Sequence, residues 1–398
     1  MIFFWLLAVS SATLQMVSVT ATASLLVGSG PGVLPVLWTL DVAVTLAAVV
    51  LVRVLSRRLG NRSALFGITF GFGVLYGLLA LAGRGSIPSA IAYVLADGQL
   101  AALPTVIWAA AADTLASHQA RTMFPRIAAG AAIGNLAGAL FGALQPSNGL
   151  ALGLAAALCL VIMGIAIRTV KKRSRNNDAT MTRPLPVSDS VKALREVPAL
   201  GGLFLQMCFS SLALALLEAA FLSALSHESS GTFATIYGLY RFLLFAAIAL
   251  ASGGLVTRIL NRVPAANTFA LLPLVLIGGS AVSTFIPTFF VIGLARFAGR
   301  FMQRGWDEPS RRTFTALLGD QRRAGITALL DTGSFSLGTL LACILLAVAP
   351  ALALPGAVFG GIVGFGMALF VRRQYSASIL DWRFKKSRRT SILDKIEF

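Results

Sequence analysis

WAAAADTLASHQARTMFPRIAAGAAIGNLAGALFG, residues 108–142, joins the end of one apolar segment to the start of the next through a short basic loop. Its glycines recur at every fourth position, at Gly130, Gly134, Gly138 and Gly142. On a helix this spacing forms a stripe of small residues, and in lipid such a stripe lets a neighbouring helix approach closely. We therefore expect a membrane helix that packs through its glycine face.

Ionisable side chains crowd the loop before these glycines, at Asp113, His118, Arg121 and Arg126. We expect this loop to lie at the membrane surface. A similar layout returns about half a chain later in GDQRRAGITALLDTGSFSLG, residues 319–338. Two halves that each contain a basic loop and a Gly/Ser-rich helix indicate a duplicated transporter.

The composition excludes a water-soluble protein. The chain has 398 residues, of which 57% are hydrophobic and only 12% charged, so a soluble fold could not cover its apolar faces with polar side chains. Cys159, Cys208 and Cys343 all lie in apolar runs, which favours packing thiols over disulfides. The two histidines, His118 and His227, both lie in loops, and we expect neither a metal site nor a cofactor.

Apolar stretches near the ~20-residue length of a membrane span occur twelve times. The predicted spans are 2–26, 33–53, 64–83, 88–112, 127–144, 149–170, 199–225, 232–255, 266–285, 287–304, 324–349 and 353–371. This predicts an all-α polytopic membrane protein with two six-helix bundles, 1–170 and 199–371, joined by a basic linker, 171–198. A basic tail, 372–398, follows the second bundle. Two six-span halves with this linker are typical of the major facilitator architecture.

Basic residues concentrate in alternate loops, in the central linker and in the tail, and they give the chain a net charge of +18. The positive-inside rule then places these loops and both termini in the cytoplasm, as expected for an even number of spans in a bacterial inner membrane. The same residues favour contact with anionic lipids over binding of nucleic acid. The sequence leaves the oligomeric state open, and a monomer is plausible.

Several ionisable residues fall inside predicted spans, where a charge costs about 2.5–3.5 kcal/mol on insertion scales. Asp97, Arg241 and Arg296 lie about nine residues from a span end, which at ~1.5 Å per residue is close to the middle of the bilayer. Glu218 lies in the outer third of the seventh span, and Tyr237 shares a helical face with Arg241. These five residues are the predicted substrate-binding set. Because arginine suits carboxylates and phosphates, they indicate an anionic or zwitterionic substrate.

Other charged residues are candidates for coupling or gating: Asp41, Asp113, Arg121, Arg323 and Asp331. Asp41 and Asp331 lie at shallower depths on the second and eleventh spans. An alternative role for each is a salt bridge with a loop arginine at the cytoplasmic or external mouth. Asp113, at a helix end beside the basic loop, is expected to be a gate or to fix that loop.

Short motifs in both halves resemble the ATP/ADP translocases of plastids and obligate intracellular bacteria, and more closely their uncharacterised bacterial relatives. The motifs are the small-residue stretch from residue 20 with Gly32 and Leu34-Pro35, Ala112-Asp113 leading to Gln119-Ala120-Arg121 and Phe124-Pro125, Leu216-Leu217-Glu218, and Ala328 to Asp331 with Gly338. The resemblance implies a major facilitator fold, roles for Glu218 and Asp331, and antiport of nucleotides. The chain departs from that family because Leu222 stands where the translocases carry a lysine, and no predicted span contains one.

The sequence therefore predicts a secondary active transporter that moves a small organic anion by alternating access, with a nucleotide-like solute as one candidate. The alternative is a proton-coupled exporter of lipophilic or cationic compounds, in which Asp97 and Glu218 bind cargo or protons. A third hypothesis is a membrane scaffold or lipid-handling protein that works through the basic tail. No nucleophile–base pair, P-loop or dinucleotide motif is present in the sequence, so we do not expect an enzyme.

Overall fold

A computed structural model describes residues 2–82, 85–114, 117–144, 146–169, 194, 197–227, 230–251, 268–308, 310–311, 326–327 and 329–393. Within these ranges, the side chains of residues 57, 62, 112–125, 167–169, 230–231 and 375–393 are not described. The described chain folds into helices without any strand. The twelve α-helices are α1 (Ile2–Ser29), α2 (Leu34–Leu59), α3 (Asn61–Leu81), α4 (Ser86–Thr114), α5 (Ser117–Ala143), α6 (Asn148–Thr169), α7 (Pro198–Leu225), α8 (Ser230–Leu250), α9 (Leu271–Phe285), α10 (Phe289–Met302), α11 (Ser334–Val348) and α12 (Ala353–Leu393).

Each predicted span corresponds to one of these helices, so the prediction of an all-α polytopic protein is confirmed. Among the described residues, ten helical segments are long and apolar enough to cross a membrane. The other two, α9 and α10, have 15 and 14 residues, and a π-helical turn, Gln303–Asp307, continues α10. Helices satisfy their own backbone hydrogen bonds, which the bilayer core requires. The side of the membrane on which the termini lie stays a prediction.

Glycines with positive φ separate the first three helices. Gly30 ends α1 at φ 72°, and the single helical turn Pro31–Val33 leads into α2. Gly60 joins α2 to α3 at φ 79°. Residues with a side chain rarely adopt such φ values, so glycine at these two positions allows a connection of only a few residues. The α2–α3 joint also carries the basic residues that the topology prediction uses.

The chain divides into two compact units. The first contains Met1–Asp178 together with Phe221–Ala251, and the second contains Ala179–Ala220 together with Ser252–Phe398. Helix α8 therefore packs within the first unit, although the sequence assigns it to the second half. The division into two six-helix bundles, 1–170 and 199–371, stays a prediction.

In the first unit, α1 is buried among α4, α5, α6 and α8. The glycine stripe of α5 lies directly on α1. A Cβ at Gly130, Gly134 or Gly138 would clash with the carbonyl oxygens of Phe4, Ala8 and Ala12, which also recur every fourth residue. A Cβ at Gly142 would lie 2.7 Å from the Cβ of Val19. The backbones of the two helices thus approach along three turns, as small residues allow in a membrane.

The second unit repeats this arrangement with α11 and α7. A Cβ at Gly338 of α11 would clash with the carbonyl oxygen of Cys208 and would lie 2.7 Å from the Cβ of Ser211. Helix α12 approaches the same helix from another side, where a Cβ at Gly360 would lie 2.9 Å from the carbonyl oxygen of Phe209. In each unit, a helix with a small-residue face therefore packs against the first helix of its half.

Candidate functional site

Arg241 lies at the middle of α8 and contacts α1. Its Nη1 atom donates hydrogen bonds to Gln15 Oε1 at 2.9 Å and to Ser18 Oγ at 2.8 Å. Gln15 in turn donates through Nε2 to Asn135 Oδ1 of α5, at 3.1 Å. This chain of polar groups connects three helices inside the first unit. We call these four residues the Arg241 cluster.

Every described partner of Arg241 is electrically neutral. Besides Gln15 and Ser18, the guanidinium contacts the ring of Tyr237. The centre of this ring lies 4.9 Å from Arg241 Cζ. A cation over an aromatic ring is stabilised because the face of the ring carries a partial negative charge. Among the described residues, no carboxylate pairs with Arg241, so the cluster keeps a full positive charge at the middle of a membrane helix. Both hydrogen bonds use Nη1, which leaves the Nε–Nη2 edge for a further acceptor.

Asp97 and Asp41 lie together, on α4 and α2 of the first unit. Their carboxyl groups lie close enough to repel each other when both are ionised. Thr45 donates to Asp41 Oδ1, at 3.4 Å. The pair therefore brings two acidic groups together inside the first unit.

Glu218 and Arg296 form a salt bridge in the second unit. Arg296 of α10 is 3% exposed and donates to Glu218 Oε1 of α7, while Arg300, one turn further along α10, donates to Glu218 Oε2 at 3.0 Å. Arg300 also donates to Gln303 Oε1 at 3.1 Å. The carboxylate thus compensates a buried arginine, and the three charged side chains together carry one positive charge. This partner lies on a different helix from Arg296.

Asp331 pairs with an arginine near the end of α10. It lies on a second π-helical turn, Leu329–Gly333, and accepts a hydrogen bond from Arg311 Nη1. Arg311 Nε donates to Asp307 Oδ2 at 2.8 Å, four residues back along the chain. Asp331 therefore forms a salt bridge with an arginine that follows the tenth predicted span.

Three predicted gating residues lie outside the described side chains. Asp113 and Arg121 belong to the helical backbones of α4 and α5, but their side chains are not described, and Arg323 lies wholly outside the described residues. The structure brings Arg241 and Tyr237 together, Glu218 and Arg296 together, and Asp41 and Asp97 together.

Sequence reasoning missed the uncharged partners of the cluster and two charged residues. Gln15, Ser18 and Asn135 hold Arg241 or its neighbour, yet none of them is ionisable. The feature of the sequence that marks these residues is a polar amide or hydroxyl group inside an apolar span. Asp307 and Arg311 were missed because they follow the predicted end of the tenth span, although they are only 2% and 5% exposed.

Similarity to known proteins is visible at the level of structure. No protein-family model matches the chain, and no curated protein sequence matches it either. A mutant of the nucleoside transporter NupG superposes with a TM-score of 0.65 at 13% identity, covering 94% of this chain and 98% of that one. The POT family transporter PepTSo gives 0.67 at 10% identity, with 95% and 98% covered.

A bacterial homolog of the human lysosomal transporter Spinster gives a TM-score of 0.56 at 13% identity, with 96% of each chain covered. Identities this low establish a common fold and no more. The similarity nevertheless extends over nearly the whole of every chain, and the helices match those that the spans predict. This chain is therefore a multi-pass integral membrane protein with the fold of the major facilitator transporters.

Proposed function

We propose that the protein is a secondary active transporter that moves a small organic anion across the membrane by alternating access. The observation that carries this proposal is the positive charge of Arg241, which has only neutral partners among the described residues. A charge at this depth costs about 2.5–3.5 kcal/mol on insertion scales, so such residues are retained for function by default. An anionic substrate would supply the missing counter-charge when it binds.

The geometry of the Arg241 cluster favours a planar or tetrahedral oxyanion. With Nη1 committed to Gln15 and Ser18, the Nε–Nη2 edge presents two parallel donors, which match a carboxylate or a phosphate. Tyr237 is buried and contacts the guanidinium from one face. A phosphorylated or carboxylated solute, such as a nucleotide-like compound, fits the two donors of the free edge.

Arg296 and Glu218 have a supporting role in this proposal. Since they compensate each other, a substrate anion would have to compete with a buried carboxylate for Arg296. We therefore assign Arg241 as the principal anion-binding residue. NupG, to which this chain is similar in structure, is a nucleoside transporter, which agrees with an organic solute. We further propose that the protein resides in a bacterial inner membrane, with the basic loops against anionic lipids.

Binding to purified protein tests the proposal directly. Ligands that bind the folded state raise its unfolding temperature by mass action. We expect stabilisation by nucleotides, phosphate esters or organic acids. Arg241→Ala should weaken this binding about tenfold or more, because a hydrogen bond to a charged group contributes about 1.5–3 kcal/mol. The matched control is Arg372→Ala, since Arg372 is exposed near the end of the last predicted span.

Uptake into proteoliposomes completes the test with the compound that stabilises best. Unchanged anion binding and unchanged uptake by Arg241→Ala, with the control normal, would refute the assignment. Binding without uptake in the wild-type protein would refute transport while keeping the anion site.

The Asp41–Asp97 pair favours a second candidate function, a proton-coupled exporter of lipophilic or cationic compounds. Two adjacent carboxyl groups can hold one proton between them and exchange it for a cationic cargo. In that case cationic compounds, and not anions, should raise the unfolding temperature. Asp97→Asn should then abolish this response, whereas Arg241→Ala should leave the binding of cationic compounds unchanged.

A further inference from the structure

A group of charged residues near the end of α10 is not used by the proposed substrate site. It contains Asp307 on the π-helical turn that continues α10, Arg311 one turn further, and Asp331 on the π-helical turn that precedes α11. Arg311 donates to both carboxylates, through Nε to Asp307 and through Nη1 to Asp331. We call these three residues the Arg311 triad.

The triad has an excess of negative charge. Two ionised carboxylates and one guanidinium sum to a single negative charge, and Asp307 and Arg311 are only 2% and 5% exposed. Asp331 is different, because 39% of its side chain is exposed and water can solvate it. The uncompensated charge is therefore most costly on Asp307, since a buried ion loses its hydration.

One oxygen of Asp307 has no hydrogen-bond partner. Oδ2 accepts from Arg311, but among the described residues no group donates to Oδ1, although this atom is buried. A buried polar atom without a partner costs about 1–3 kcal/mol, and more when it is charged. A proton on Oδ1 would remove the negative charge and with it the greater part of this cost.

We propose that Asp307 is a proton-binding site, in which Oδ1 holds the proton while Oδ2 stays bonded to Arg311. Loss of the proton returns a negative charge to the triad and changes how strongly Arg311 is shared between Asp307 and Asp331. Burial raises the pKa of Asp307 above its usual value, although Arg311 beside it acts in the opposite direction. The proton therefore binds in the range where an exposed aspartate would already be ionised.

Among the described residues, Glu308 and Asp331 are the other charged groups that act on Asp307. Glu308 is its neighbour in the chain and, like Asp331, favours the protonated form of Asp307 by repulsion. Helix α9, which also packs against the Gln303–Asp307 turn, contains no ionisable residue. A bound metal cation is disfavoured beside Arg311, and the described residues form no group of three metal-binding side chains. A proton, which needs no coordination shell, fits this surrounding best.

The π-helical geometry explains how the site is linked to the helices. A π-helical turn inserts an extra residue into a helix, and such turns are often found at functional positions. Here one π-helical turn contributes Asp307 and the other Asp331, and both are held by Arg311. A change in the protonation of Asp307 therefore alters the contacts of Arg311 both where α10 ends and where α11 begins, within the second unit.

Infrared spectroscopy of the full-length purified protein tests the proposal without any transport substrate. Protonated carboxylic acids have a C=O stretch that ionised carboxylates lack. We expect this band to grow as the pH is lowered from mildly alkaline to mildly acidic. In Asp307→Asn we expect the band to be weaker by the intensity of one carboxyl group. Asp331→Asn is the matched control, because it keeps Asp307 and removes the exposed member of the triad.

Each outcome is decisive. Loss of the intensity of one carboxyl group in Asp307→Asn, but not in Asp331→Asn, supports the site. An identical band in the wild type and in Asp307→Asn overturns it, and so does stabilisation by sodium over choline that Asp307→Asn abolishes, since that would indicate a cation. Should Asp307→Asn fail to fold, Asp307→Glu keeps a titrating group and shifts the frequency of its band. No outcome depends on whether the protein transports anions.

Discussion

At the scale of the residue, the partners of an arginine decide what it does in the membrane. Arg241 and Arg296 look alike in the sequence, since each lies near the middle of a predicted span without an acid at helical spacing. In the structure Arg296 is compensated by Glu218, whereas Arg241 contacts Gln15, Ser18 and an aromatic ring. The depth of each residue could be predicted from the sequence. Its partners could not, because they lie on helices whose neighbours are set by tertiary packing.

Removing Glu218 should destabilise the protein more than removing Arg300, the more exposed of its two arginine partners. Glu218→Ala leaves Arg296 buried without a counter-charge, and breaking a buried ion pair in this way costs about 3–5 kcal/mol. Arg300→Ala is the control, since Arg300 is 25% exposed and its bond to Glu218 is not the only one. Thermal unfolding of the purified variants measures both effects. Equal stability of the two variants would contradict a compensating role for Glu218.

A carboxylate placed next to Arg241 should replace the substrate anion. Gln15→Glu keeps an acceptor for Nη1 and adds a negative charge, so we expect the fold to persist while anion binding falls about tenfold or more. Asn135→Asp is the matched change, because Asn135 touches Gln15 but has no bond to Arg241. Ligand-dependent shifts in unfolding temperature measure the difference. Normal anion binding by Gln15→Glu would show that the free charge of Arg241 is not needed.

At the scale of the element, glycines set how closely two helices approach. The four-residue spacing of the glycines in α5 predicts a close contact, and the structure shows that α1 is the helix in contact. The choice of α1 could not be read from the sequence, because the complementary small residues at Ala8 and Ala12 form a weaker pattern in a helix that has no single apolar face. The same limit applies to Gly338, whose contact with α7 appears only in three dimensions.

Adding one methyl group to the α5 stripe should separate α1 from α5. A Cβ at Gly134 would clash with the backbone of Ala8, so Gly134→Ala should lower the yield of folded protein and its unfolding temperature. Gly153→Ala on α6 is the control, because no atom lies within 4 Å of the Cβ it would introduce. Its helix propensity should even gain about 1 kcal/mol. If both variants unfold at the wild-type temperature, the α1–α5 contact does not contribute to stability.

At the scale of the whole molecule, the number of helices follows from the sequence and the grouping of helices does not. Apolar length predicts twelve spans because the bilayer core admits only segments that satisfy their own hydrogen bonds. Helices α9, α10 and α11 are shorter than their predicted spans, and π-helical turns lie after α10 and before α11. The place of α8 in the first unit depends on Gly238 and Thr235, which contact Ala143 of α5, and such contacts leave no periodic signal.

The orientation of the molecule is the last prediction, and it decides on which side the Arg311 triad lies. Because the loop between α10 and α11 is rich in arginine, the positive-inside rule places it, with both termini, in the cytoplasm. A fluorescent protein fused after Phe398 should therefore fluoresce, and alkaline phosphatase fused after Gly85 should be active, since that joint is predicted on the opposite side. The reverse pair of results would invert the topology. Asp307 would then exchange its proton near the external face and not near the cytoplasmic one.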